Sequence, residues 1–213
     1  MTNPPAPAAN RAADDAATAR QTTFYLCRHG QTEYNRARRL QGHIDTPLTP
    51  AGIAGALRVA EQLRGIAFAR VYSSDLGRAF RTAYLIAREF GLADRIEATP
   101  ALRERSFGVF HGRPNAEIRA AHPAVFGDSS FAPPDGESHQ AVQKRVLAFL
   151  GDVAAEAPGE NVLVVTHEGV LNAVRAAFEG IDVARYHGTN RNGHEMVLRA
   201  RVADGRLLDV GVL

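Results

Sequence analysis

Residues 161–166 read Asn-Val-Leu-Val-Val-Thr, and the chain runs straight on into His167-Glu168-Gly169-Val170. A half-exposed strand would alternate polar and apolar residues, so a nearly unbroken apolar run of this length marks a strand covered on both faces. Covering both faces takes helices, and the flanks supply them. Downstream, 170–178 has a helical pattern. Upstream, Ser138 opens a helix over 138–155 with Val142, Val146, Phe149, Leu150 and Val153 on one side. Further out, the β-rich TFYLC (23–27) runs into Arg28-His29-Gly30. Thr49 and Pro50 have the types favoured at a helix N-cap and first turn. The apolar residues Ile53, Leu57, Ala60 and Leu63 of that helix share a face. A strand over 70–73, a helix over 76–90 closed by Gly91 and a strand over 95–98 follow. Residues 102–135 look irregular, apart from a short helix near 116–121. Two last strands, 194–202 and 206–212, flank the hairpin signal Asp204-Gly205. Strands alternating with helices predict an α/β domain with a mostly parallel sheet.

The 213 residues suit one domain, placed at 23–213, with a disordered Pro- and Ala-rich tail over 1–22. No apolar run reaches the ~20 residues of a membrane span. Cys27 is the only cysteine, which excludes an internal disulfide and a cysteine-built zinc site and fits a reducing cytoplasm. The formal charge is +2 with acids spread throughout, which argues against a nucleic-acid partner. Every cation but Lys144 is arginine, whose planar fork grips phosphate and carboxylate where lysine is a point charge. A coding bias accounts for the general excess, so composition alone picks out no particular arginine.

Functional groups of such sheets gather beyond the carboxyl ends of the strands. Three polar clusters stand there: Arg28-His29-Gly30, Ser73-Ser74-Asp75 with Arg78, and Thr166-His167-Glu168. Two histidines and two arginines at one rim suit phosphoryl chemistry, since imidazole attacks phosphorus and guanidinium groups balance the oxygens of the transferring group.

Five motifs carry a resemblance. The first is RHGQT (28–32), Asn35, LQGHIDTPLT (40–49) and Gly52. The second is SSDLGRA (73–79) with Thr82. The third is LRE (102–104) with Phe107, Gly108 and Gly112. The fourth is GES (136–138) with Arg145, and the fifth is THEGV (166–170). In this order they resemble the histidine phosphatase superfamily, the phosphoglycerate-mutase-like proteins. The resemblance implies a three-layer α/β/α sandwich. It implies His29 as the nucleophile that becomes phosphohistidine, Arg28 and Arg78 on the phosphoryl oxygens, and His167 stabilising the transition state. It implies Glu104 as the acid that protonates the leaving alcohol and, in a hydrolase, then deprotonates water. Thr32, Asn35, Gln41, Gly42 and Glu168 would join Arg28, Arg78 and His167 in binding substrate. No metal or cofactor is expected, because the arginines and histidine supply the positive charge.

Asp75 is expected to cap the helix carrying Arg78, and Cys27 to be a buried small hydrophobe. His43, His111, His139 and His194 are expected to be solvated or structural, with His43 and His111 candidates for the cleft border. Two positions depart from the family pattern. Tyr34 stands where Trp is frequent. Glu168 stands where Gly is common, setting a carboxylate beside His167. Residues 121–134 (AHPAVFGDSSFAPP) are expected to form a lid and carry no Lys or Arg. The family's mutases have a longer, basic lid. The short lid therefore predicts a cytoplasmic, metal-independent phosphomonoesterase for a small phosphorylated metabolite, monomeric or homodimeric. Phosphoglycerate mutase is the alternative. A non-catalytic phosphoprotein-binding module is the third reading, opposed by the presence of His29, Glu104 and His167. Arg36, Arg38, Arg39, Arg113 and Arg119 are candidates for a second phosphate or carboxylate, each with a solvated surface as its plainer reading.

Overall fold

Val162, Leu163, Val164 and Val165 are fully enclosed, so the stretch that set the expected architecture is the interior of the sheet. The computed structural model of the protein describes residues 21–186 and 193–213. The strands are β1 (Thr22–Arg28), β2 (Arg70–Ser74), β3 (Ile96–Thr99), β4 (Asn161–Thr166), β5 (Val197–Ala203) and β6 (Arg206–Val212). The helices are α1 (Glu33–Arg36), α2 (Pro50–Gln62), α3 (Gly77–Ala87), α4 (Asn115–Ala121), α5 (Ala124–Gly127), α6 (His139–Glu156) and α7 (Glu168–Glu179). The six strands form one sheet in the order β3-β2-β4-β1-β5-β6. The first three pairings are parallel and the last two antiparallel. The sheet is thus mostly parallel, closed on one side by the C-terminal hairpin.

Alternate side chains of the same strands enter opposite layers. Phe24, Leu26, Val162 and Val164 pack with α6 and α7 through Val142, Val146, Leu150 and Leu171. Cys27, Leu163 and Val165 pack with α2 and α3 through Ala56, Val59, Leu63, Ala83 and Ile86. Three layers result, as expected. Each enclosed aliphatic side chain contributes about 1.5–3 kcal/mol relative to exposure. The thiol of Cys27 belongs to this core, and burial pushes its pKa up to about 12. Among the described residues no helix is long and apolar enough to cross a membrane.

The predicted tail lies outside the described residues over 1–20. Its last residue, Thr22, is instead the buried first residue of β1, with its hydroxyl donating to Ala157 O at 2.7 Å. The lid region forms its own small core of Leu40, Phe110, Ile118, Val125 and Phe126, and holds two short helices where one was expected.

The buried face of α2 is rotated from the expected one: Ala60 and Leu63 are buried as expected, and Ile53 and Leu57 are not. Ile53 and Leu57 are 38% and 43% exposed. The helix instead buries Gly52, Gly55, Ala56, Val59 and Ala60. The cause is close approach. A Cβ at Gly52 would overlap the Gln31 carbonyl oxygen, and one at Gly30 would overlap Gly52 O, so only glycine fits where the turn after β1 crosses the start of α2. Gly55 has room, since its Cβ would meet Glu195 Cγ at an ordinary 3.4 Å. Gly52→Ala is accordingly expected to cost about 1–3 kcal/mol through overpacking. Gly55→Ala should be neutral or gain up to about 1 kcal/mol from helix propensity. Urea unfolding of the two variants checks the contrast.

Candidate active site

Parallel pairing of β1 with β4 places Arg28 opposite Thr166, so the residues following each strand emerge side by side. His29 extends the ladder by donating its amide to Thr166 O at 2.8 Å. The turn that follows is pinned by Thr82 on α3, whose hydroxyl accepts from Gly30 N at 3.0 Å and donates to Arg78 O at 2.7 Å. The predicted rim is therefore real. Arg28, His29, Asn35, Gln41, Gly42, Arg78, Glu104 and Glu168 line one cavity of about 240 Å³ there.

His29 is 3% exposed. Its Nδ1 lies 2.8 Å from Gly30 O. A carbonyl only accepts, so Nδ1 carries the proton and Nε2 keeps its lone pair. Arg78 Nε, a donor, lies 3.3 Å from that Nε2, which agrees. Burial, then the charges of Arg78 and Arg28, hold the imidazole well below its ordinary pKa, so it is neutral. Its ring lies 5.1 Å from His167 and 5.7 Å from His194, centroid to centroid.

Arg78 is enclosed, its side chain 1% exposed. It donates to Gly42 O at 2.6 Å, Ile44 O at 3.0 Å and Asp45 Oδ1 at 3.1 Å. Asp45 also accepts from the backbone N–H groups of Gly77 and Arg78. It thus caps α3, a role the sequence reading gave to Asp75. The N-cap position itself is Leu76, with no side-chain cap. Asp75 turns away instead to a two-pronged pair with Arg103 at 2.6 and 2.7 Å. Arg28 meets Glu168 at 2.9 Å. Burial raises the Glu168 carboxyl above its usual range, against the pull of Arg28.

Glu104 is held by backbone N–H groups. Its Oε1 accepts from Arg105 N at 2.8 Å and its Oε2 from Gly169 N at 3.2 Å, at the start of α7. A Cβ at Gly169 would meet Glu104 Oε1 and displace the carboxylate from this position. Arg105 is 1% exposed and donates to Glu137 O at 2.6 Å, Phe131 O at 3.0 Å and Val125 O, with His139 in contact. Burial brings its pKa down to about 10.

His167 is fully buried, and neither ring nitrogen has a hydrogen-bond partner among the described residues. Burial first, then Arg78, keeps its pKa well below ordinary. An unsatisfied buried polar group costs about 1–3 kcal/mol. Here the cost is borne 5.1 Å from His29, where an N–H donor for an anion is useful. Thr32, a predicted substrate contact, does not line the cavity. Its hydroxyl is buried and consumed by Asn35 Oδ1 at 3.0 Å and Gln41 Oε1 at 2.9 Å, so it positions those two amides. His43 and His111, candidates for the cleft border, do not line the cavity; His43 Nε2 lies 2.9 Å from Glu104 O and His111 Nε2 accepts from Phe107 N at 2.9 Å.

Three functional neighbours escaped the sequence reading. Asp45 lay within a quoted motif but carried no sign of its partner. Asn172 lines the cavity one turn after Glu168, and that spacing could have found it. His194, whose Nδ1 donates to His29 O at 2.8 Å from 165 residues away, gave no local signal.

Fold and site together define an α/β phosphoryl-handling class, with paired buried histidines among arginines at a strand-end rim. The chain matches the histidine phosphatase superfamily (branch 1) over residues 24–207. It belongs to that catalytic superfamily. It is 36% identical over 162 residues to a protein of Yersinia pestis (strain Pestoides F) named "Probable phosphoglycerate mutase GpmB", covering 74% of each chain. The solved structure of YhfR from Bacillus stearothermophilus superposes with a TM-score of 0.79 at 33% identity, covering 87% of this chain and 94% of that one. Mycobacterial glucosyl-3-phosphoglycerate phosphatase superposes at 0.77 with 28% identity, covering 90% and 97%. Phosphatases and mutases thus both stand among the relatives.

The neutral buried histidines have a consequence for stability. The folded pKa values of His29, His167 and His194 are all lowered, the last to about 4, first by burial. The unfolded chain therefore takes up these protons at higher pH than the folded one. Their contribution is complete above about pH 6.5 and is lost as pH falls from there through the folded values. Each group adds a slope of up to about 1.4 kcal/mol per pH unit, and the raised Glu168 opposes with one group. Urea midpoints should fall between pH 7 and pH 5, and His194→Asn should flatten the fall.

Proposed function

We propose that the protein is a cytoplasmic, metal-independent phosphomonoesterase that hydrolyses a small phosphorylated metabolite through a phosphohistidine on His29. The observation that carries this reading is the state of His29. Its proton is fixed on Nδ1 by Gly30 O, and its lone pair is on the nitrogen beside the buried Arg78 fork. In this reading Nε2 attacks phosphorus while Arg28, Arg78 and an N–H of His167 hold the phosphoryl oxygens. The P–O ester bond breaks, and Glu104 gives its proton to the departing alkoxide. The Glu104 carboxylate then takes a proton from water. The water oxygen attacks the phosphohistidine, and inorganic phosphate leaves with His29 neutral again. Asn35, Gln41, Gly42 and Glu168 contact the remainder of the substrate. The guanidinium groups supply the charge that a metal supplies elsewhere, and the reaction calls for no cofactor. We take the enzyme to act alone or as a homodimer, with neither nucleic acid nor membrane as partner.

The mutase reading is favoured by the similarity to the protein named for that activity. The lid favours hydrolysis, because residues 121–134 bring no Lys or Arg to grip a phosphoglycerate. Purified protein should release phosphate from p-nitrophenyl phosphate in excess EDTA, and His29→Ala should abolish this. Activity surviving that substitution, or requiring a divalent ion, sinks the mechanism. With 3-phosphoglycerate and 2,3-bisphosphoglycerate, released phosphate supports the hydrolase, and clean interconversion to 2-phosphoglycerate supports the mutase.

Arg28→Lys and Arg78→Lys keep the charge and lose the fork. Each should lower kcat/KM by about 10- to 100-fold, the scale of a lost charge-assisted hydrogen bond. Near-wild-type turnover in both variants counts against two-pronged phosphate binding.

A further inference from the structure

We propose that His194 is a positioning residue for the nucleophile: it holds the peptide plane between His29 and Gly30 and so fixes where the His29 ring points. The proposal rests on His29 as the attacking group of the phosphatase reading above.

The need for such a hold begins at Gly30. A Cβ there would overlap Gly52 O, so the residue after the nucleophile must be glycine. Glycine is also the residue that restrains the backbone least. The imidazole of His29 takes its direction from this same turn, since Nδ1 donates to Gly30 O at 2.8 Å. Thr82 secures one end of the peptide plane, its hydroxyl accepting from Gly30 N at 3.0 Å. The other end, His29 O, lies past the last pair of β1 with β5, which is Cys27 opposite Val197. There the chain leading into β5 curls into a turn, with Met196 N donating to Gly193 O at 3.2 Å. A side chain of that turn reaches the carbonyl instead. His194 Nδ1 donates to His29 O at 2.8 Å, and the two rings stand 5.7 Å apart.

His194 is not among the residues that line the cavity, so its route to the chemistry is through His29. Its own place is set from α2. Arg58 forms a two-pronged pair with the Glu195 carboxylate, with Nε to Oε2 at 2.7 Å, and Gln62 Nε2 donates to Glu195 O at 3.2 Å. The side chains of that pair are 55% and 44% exposed. Exposed pairs add little stability. This one anchors the turn that carries His194. A misplacement of about 1 Å can cost on the order of 100-fold in rate, which is the leverage open to a group that only orients the ring.

The test separates a directed N–H from mere bulk. Asn and His both carry a nitrogen on Cγ, so His194→Asn returns an N–H donor to the same place. His194→Gln carries the donor one carbon further, and His194→Leu fills the space without one. With p-nitrophenyl phosphate in EDTA, the Leu and Gln variants should lose about 10- to 100-fold in kcat and keep KM within about threefold. His194→Asn should recover most of that kcat. Thermal midpoints identify folded variants, and the contrast of Gln with Asn decides if the Leu variant is unfolded. A kcat within about twofold of wild type in a folded Leu or Gln variant, or an Asn variant as slow as these, overturns the proposal. Long-range proton–nitrogen NMR of the His29 ring gives a readout without turnover. The wild-type ring should hold one tautomer, protonated on Nδ1, and the folded Leu or Gln variant should mix the two. An unchanged His29 spectrum overturns the proposal as well. If wild-type protein hydrolyses no ester, the phosphatase reading has failed, and the NMR comparison alone decides the role of His194.

Discussion

Burying the Arg78 guanidinium is the constraint around which the rest of the site is arranged. Removing an unpaired charge from water is prohibitively costly, so every N–H of the fork needs an acceptor. Among the described residues only one carboxylate accepts from it, that of Asp45, itself 42% exposed. His29 Nε2 accepts from Nε, and the backbone supplies Gly42 O and Ile44 O, so the loop between α1 and α2 must fold around the guanidinium. Gly42 accepts this at φ 50°, where a side chain would also collide with His111. The loop in turn carries Gln41 into the cavity, and Thr32 ties Gln41 to Asn35. One buried cation thus orders the floor of the site through carbonyl groups rather than through charge.

The same cation sets the protonation of its neighbours. His29 and His167 lie in burial deep enough to disfavour imidazolium, and Arg78 adds to that in both. The pair differs in what its nitrogens meet. His29 is fixed by Gly30 O, Arg78 and, through its backbone, His194, whereas His167 has neither ring nitrogen satisfied by the described residues. A fold selected for stability alone would not leave such a group at the centre of its sheet rim. Local cost concentrated at the reaction centre is how function departs from otherwise consistent folding rules.

What the sequence made legible follows from the range of the interactions involved. The β4 run, the Thr49-Pro50 helix start and the Asp204-Gly205 hairpin are local devices, and each lies where the pattern put it. Arg28, His29, Arg78, Glu104 and Glu168 reach one cavity because strand ends converge in any such sheet, and family motifs marked which strand ends mattered. Illegible features depended on distance or close approach. Ile53 and Leu57 are large apolar residues of α2, yet a glycine-thin contact with the turn after β1 rotates the buried face away from them, onto Gly52, Ala56 and Val59. Asp45 and Asp75 were equivalent as sequence, and only the fold shows one reaching α3 and the other Arg103. Arg105 carries no local sign of burial. Its burial depends on Val125, Phe131 and Glu137 closing over it, 20 to 32 residues away.

Arg105 also bears on whether the site transfers or hydrolyses. By donating to three carbonyl groups across residues 125–137 it fastens the predicted lid to the floor, and Leu40, Phe110 and Ile118 pack beneath it. The segment therefore forms a wall with its own small core. An enzyme that passes a phosphoryl group between two alcohols must keep water from the phosphorylated histidine, and closing motions are the usual means. Here the wall is already formed while Arg39 and Arg119 at the mouth remain exposed to solvent. Water reaching His29 by that route is a reactant for a phosphatase and a loss for a mutase. The fastened wall and exposed mouth thus support the proposed hydrolysis over transfer.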